Sequence, residues 1–165
     1  MALPAHSFDP FHYEVVAAHR APQLNALVSY WETKHVGERL PRRADIDPVE
    51  IKMHLPRLFM IDVLDGGPDG VSEYRYRLIG TDLVARYGRD STGKTFTQVH
   101  GGDDRQLAAT RQVVAGTVAA RRPVRIAGQM FWRPDRAFRP IEGVFLPLSS
   151  DGETVDVVMG EIAFF

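Results

Sequence analysis

Residues 88 to 95 read Gly-Arg-Asp-Ser-Thr-Gly-Lys-Thr and meet the phosphate-cradling pattern G-x-x-x-x-G-K-[ST] at every specified position. In a working loop of this kind, glycine amides and a helix N-terminus hold the phosphates, the lysine reaches the outer ones and the hydroxyl binds magnesium. That chemistry requires a buried parallel strand before the loop and a long helix after it. Here "DLVARY" upstream has helical spacing, and "TFTQVHGGDD" downstream meets Gly101 and Gly102 too soon for such a helix. The best strand ending in an acid, "LFMIDVLD", precedes the motif instead of following it. The stretch is therefore expected to be a turn in which Gly88 and Gly93 take unusual backbone angles. Nucleotide hydrolysis through Gly88 to Thr95 is kept as the remote alternative.

Other reactive side chains narrow the chemistry further. The chain has no cysteine, which excludes disulfides, thiolate metal sites, a cysteine nucleophile and a thioether-linked chromophore. Of six histidines, His6, His12 and His19 fall in an aperiodic N-terminal stretch, and His35 and His54 fall at helix ends. Strand alternation puts Glu142 on one face with Val144, Leu146 and Leu148, where a lone carboxylate must be paired or face a cavity. Arg75, Arg77, Arg111 and Arg125 are its candidate partners. Serines and aspartates show no nucleophile-elbow or metal-hydrolase spacing, so no enzymatic activity is expected.

The elements that position these residues follow from periodicity. Residues 1–20 lack it and are expected to be a tail. Pro22 at a first helical position, Leu24, Leu27, Val28 and Trp31 at helical spacing and Gly37 beyond the end predict an amphipathic helix. Asp47, Pro48 and Glu50 predict a short second helix stopped by Pro56. "LFMIDVL" and "EYRYRLIG" around "DGGPDG" predict a hairpin, with Tyr74, Tyr76 and Leu78 on one face. Thr81 is expected to cap a short helix ended by Gly88, and Asp103 or Asp104 a longer one reaching about Ala120. "VRIAGQMFW", "RPIEGVFLPL" and "TVDVVMGEIAFF" predict an antiparallel meander.

That order predicts an α+β domain, a five-stranded antiparallel sheet with helices on one face and a helical N-terminal extension. Its expected divisions are a tail at 1–20, the extension at 21–56 and the sheet domain at 57–165. Lys and Arg number 20 against 21 Asp and Glu, a net charge of -1, so no strong field draws nucleic acid or an anionic membrane. The N-terminus lacks a signal-peptide pattern and no apolar run reaches membrane-spanning length, so a cytoplasmic setting is expected. "VFLPL" and "VDVVMG" are apolar at neighbouring positions, so both sheet faces need cover. The helix bearing Leu24, Leu27, Val28 and Trp31 is expected to supply it, on its own sheet or a partner's, and a homodimer using it is expected.

Read together, "YRYRLIGTDLVARYG", "STGKTF", "VHGGDDR" opening a long helix and the closing strands with "LPLSSDG" resemble a PAS domain over roughly residues 57–165. Gly93-Lys94, His100, Asp104 and Arg105 match the family's approach to its long helix. "LPRRADIDP", "LPRLFMIDV", "YRYRLIGT" and "LPL" resemble a subgroup found mainly in alphaproteobacteria. The resemblance implies a sensor or protein-interaction module in bacterial signalling that acts through a protein partner, with no output domain of its own. The alternative is a small-metabolite-binding regulator with a pocket between the long helix and the sheet. Tyr87, Phe96, His100, Arg111, Met130, Trp132 and Glu142 are the candidate pocket residues. The cysteine count excludes covalent photoactive flavin and coumaryl chromophores. Noncovalent flavin or haem stays open to such a pocket, but neither is predicted; His100 suits capping better than iron ligation and the long helix has no histidine, so no haem or metal site is expected.

Overall fold

The computed structural model describes residues 13–64, 72–130 and 139–165. Its strands are β1 (Tyr13–Val15), β2 (Leu58–Leu64), β3 (Glu73–Ile79), β4 (Val124–Met130), β5 (Arg139–Leu148) and β6 (Val157–Phe164). They form one sheet in the order β1-β4-β5-β6-β2-β3, antiparallel at every pairing. Among the described residues the sheet has six strands, where five were expected. The addition, β1, is three residues from the presumed tail paired on the outside of β4, too short to show a period.

Among the described residues four α-helices accompany the sheet: α1 (Pro22–Thr33), α2 (Thr81–Tyr87), α3 (Phe96–His100) and α4 (Asp104–Ala120). Alternation along β5 assigns their places. Glu142, Val144, Leu146 and Leu148 pair with Ala163, Glu161, Met159 and Val157 of β6 and share one face. This face belongs to α1. Trp31 Nε1 donates to the Pro147 carbonyl at 2.9 Å, and Leu24, Leu27, Val28 and Trp31 are all buried. Each such side chain contributes roughly 1.5–3 kcal/mol by leaving water. The two-sided burial of β5 and β6 is thus met within a single chain. The opposite face, with Ile141 and Phe145, receives α4 and, beyond it, α2 and α3.

Buried carboxylates fix the α1 side. Glu142 accepts from the Arg20 amide at 2.9 Å and the Ala21 amide at 2.9 Å, holding the start of α1, which has no side-chain cap of its own. Glu161 is completely buried, with Oε2 2.6 Å from His54 Nδ1 and Oε1 3.6 Å from Arg57 Nε.

Local expectations fail in three places for identifiable reasons. The predicted helix after Asp47 is a run of turns, with Glu50 N donating to the Asp47 carbonyl and His54 N to that of Ile51. Glu50 does not reach back to cap; its carboxylate takes Lys34 at 2.8 Å and the Tyr30 hydroxyl at 2.5 Å. Pro48 and Pro56 also leave too few residues to repay helix nucleation. Gly80, not Thr81, is the N-cap of α2, and a Cβ there would lie 2.5 Å from the Pro56 carbonyl carbon. The third difference is α3, a five-residue helix in a stretch for which no short helix was expected. Thr95 and Gln98 start it with a reciprocal capping box, Thr95 Oγ1 accepting at 3.2 Å and Gln98 Oε1 at 2.9 Å. The turn expected at "DGGPDG" lies outside the described residues, as does the segment between the predicted strands "VRIAGQMFW" and "RPIEGVFLPL".

Candidate functional site

Between α2–α4 and the sheet lies a cavity of about 140 Å³. Phe59 and Ile61 of β2, Ile126 of β4, Ile141 and Phe145 of β5, and Ile162 of β6 form its floor. Gly160 permits that floor, since a Cβ there would lie 2.8 Å from Phe59 Cε2. Leu83 and Val113 close it from the helices. Against this apolar wall stand a few polar groups, among them Tyr76, Tyr87, Arg89, Ser91, His100 and Gln129.

Tyr76 and His100 act as a pair, the phenol oxygen 2.7 Å from His100 Nε2. The opening motif positions both. Gly88 ends α2 in the left-handed conformation (φ 77°), and Gly93 turns the chain again at φ 85°. Gly93 N then donates to the Tyr76 carbonyl at 2.7 Å, and Tyr76 N donates to the Lys94 carbonyl at 3.0 Å. The next residue, Thr95, starts α3, whose last turn carries His100. Phe96 is fully buried behind the pair, its ring centroid 4.8 Å from Tyr76 and 5.6 Å from His100. The stretch that resembles a phosphate loop is thus preceded by a helix, followed by one five residues long, and spent on backbone pairing with β3.

Burial pushes the His100 ring down to about 4, with the Arg89 charge acting in the same direction. Burial likewise raises the Tyr76 phenol above its ordinary range. At neutral pH both are uncharged, one proton lying in the bond between them. His100 Nδ1 is buried without a hydrogen-bond partner among the described residues. A base this weak is poorly matched to proton abstraction near pH 7, but a neutral polar pair in an apolar cavity suits recognition. Among the described residues, no three His, Asp or Glu side chains cluster to hold a metal. None of the described helices is long and apolar enough to cross a membrane.

A family model described as PAS domain matches residues 19–163. The chain belongs to the PAS domain family. The match takes in α1 and the sheet apart from β1, which precedes it, and a PAS domain is a signalling module, sensory or interaction-mediating in its general role. Among solved structures, the PAS domain from Bordetella pertussis BvgS is similar at 15% identity and a TM-score of 0.52, over 72% of this chain and 88% of that one. A Rhodobacter sphaeroides LOV protein is similar at 12% identity and a TM-score of 0.46, over 73% of this chain and 69% of that one. No curated protein matches the chain.

The PAS architecture brings some of the candidate residues together and separates others. Tyr87 and His100 line the cavity, and Phe96 backs it. Met130 is the last residue of β4, paired with Arg139, and Trp132 lies outside the described residues. Arg111 instead ties α4 to α3 and β3, with Nη2 donating to Thr97 Oγ1 at 2.9 Å and pairing with Glu73 at 3.3 Å. Glu142 sits on the other face of the sheet, holding α1. None of the four arginines named as its candidate partners is used; its partners are backbone amides. The remaining histidines differ in setting: His19 is buried with Nε2 2.8 Å from the Gly143 carbonyl, and His54 pairs with Glu161. Tyr76, Arg89 and Gln129 line the cavity without having been expected there. Tyr76 was legible, because a hydroxyl alternating with Tyr74 and Leu78 on an apolar strand face raises the same question that Glu142 raised.

Proposed function

We propose that this PAS domain is a sensor whose cavity between α4 and the sheet binds a small molecule and whose occupancy is passed to a protein partner. The Tyr76–His100 pair carries this reading. Buried polar groups are normally satisfied, yet here one ring nitrogen of His100 has no partner among the described residues and the ring lines a cavity. An apolar chamber with a few fixed polar groups is the usual form of a small-molecule site. The proposal extends to a cytoplasmic setting, a bacterial regulator as the receiving partner and association of two copies. The apolar stripe of α1 is already used on its own sheet, so such a dimer would join through other surfaces.

Native mass spectrometry of the freshly purified protein tests the reading. The expected result is a small-molecule mass that is present in the native spectrum and lost on denaturation. A bare chain in the native spectrum would contradict ligand sensing, and the subunit count comes from the same spectrum.

A further inference from the structure

Resting on the sensor reading above, the structure assigns the cavity a ligand class: we propose a compact monocarboxylate whose apolar body, about one ring in size, fills the chamber while its carboxylate meets Arg89. Size comes first. The cavity holds about 140 Å³, and a dry apolar cavity of about 150 Å³ accommodates benzene. The body is therefore a single ring or a branched alkyl group of similar bulk.

Charge comes second. Among the described residues the lining includes one permanent cation, Arg89, and no aspartate or glutamate. Arg89 Nη2 donates to the Val99 carbonyl at 2.9 Å, and no described carboxylate pairs with the guanidinium. Other arginines of the domain are engaged: Arg75 and Arg77 with Asp62, Arg86 with Asp82, Arg111 with Glu73. A guanidinium presents several N–H donors in a plane and is matched to a carboxylate. The remaining polar groups agree. Ser91 and Gln129 can donate, and so can one member of the pair: His100 through the unpartnered Nδ1 when Tyr76 donates to Nε2, or the Tyr76 hydroxyl when Nε2 donates to it. A cationic ligand would find no counter-charge in this lining. A neutral one would leave the guanidinium to water and forgo the charge-assisted contact.

Isothermal titration calorimetry of the full chain with benzoate, cyclohexanecarboxylate, benzyl alcohol and benzylamine, in wild type and Arg89→Gln, tests the assignment. Arg89 is exposed and follows the end of α2, so the variant is expected to fold as wild type does. The expected result is that at least one carboxylate binds about tenfold or more tighter than benzyl alcohol, as a charge-assisted contact requires. Arg89→Gln should remove that preference and leave benzyl alcohol binding unchanged. Equal binding of carboxylate and alcohol, tightest binding of benzylamine, or a preference that survives Arg89→Gln would each overturn the carboxylate assignment and leave the sensor reading standing. Binding of none of the four overturns the assignment as well. A bare chain in the native spectrum would then remove the sensor reading separately.

Discussion

The Tyr76 hydroxyl lies 2.7 Å from His100 Nε2, joining edge strand β3 to the last turn of α3 across residues 24 apart in sequence. Removing one partner leaves the other polar and buried. Tyr76→Phe should therefore destabilise the protein by about 1–3 kcal/mol, the cost of an unsatisfied buried group. Urea denaturation measures it. A change below about 0.5 kcal/mol would mean that the pair is not a buried hydrogen bond.

His100 should give stability a distinctive pH dependence. Its value falls from 6.5 to about 4 on folding, chiefly through burial. Between these values the unfolded chain binds the proton and the folded chain does not, so stability rises with pH through that window and levels off above it. His19, also lowered by burial, acts in the same direction. In His100→Gln the rise from pH 4 to pH 7 should shrink by roughly 3 kcal/mol, with the His19 contribution remaining. Identical pH profiles for variant and wild type would show that the ring protonates freely in the fold.

Glu142 makes a different prediction. Its carboxylate is the acceptor for the Arg20 and Ala21 amides at the start of α1. Glu142→Ala should cost about 2–4 kcal/mol by leaving those amides and a small void behind. The loss should be local first. Hydrogen exchange at residues 22–33 should accelerate before the sheet responds, whereas exchange that rises uniformly would argue against a distinct anchoring role.

Lys94 tests the phosphate-loop pattern of Gly88 to Thr95. Its carbonyl accepts from Tyr76 N, so the backbone holds the turn while the side chain is exposed. Lys94→Ala should change stability by less than about 0.5 kcal/mol. Fluorescent ATP should show no binding to wild type that Lys94→Ala abolishes; such a loss would restore the nucleotide reading.

Those four sites also show what the chain makes legible. Periodicity located α1, α4 and the strands β2 to β6, because each runs long enough to show its repeat. Thr95 and Gln98 carried the signature of α3, but five residues are too few for a periodic stripe, and two glycines followed. β1 offers three residues whose only signal is their partner, β4. The placement of Glu142 turned on which helix covers which face, and alternation gives a face without naming its neighbour. Arg89 was hidden for a related reason: it lies within the motif already read as a turn, and only the fold brings it to the cavity lined by Ile126 and Ile162. Local pattern reports an element, whereas a cavity is made by elements far apart in the chain.

The central claim is that the chamber beneath α4 holds a small molecule. Val113→Phe places a larger ring at a cavity-lining position of α4 and should occupy the space itself. Native mass spectrometry of wild type and this variant, purified in parallel, tests the claim most directly. The account predicts a released small-molecule mass with wild type and a bare, folded chain for the variant. An adduct of equal abundance in both, or in neither, would contradict it.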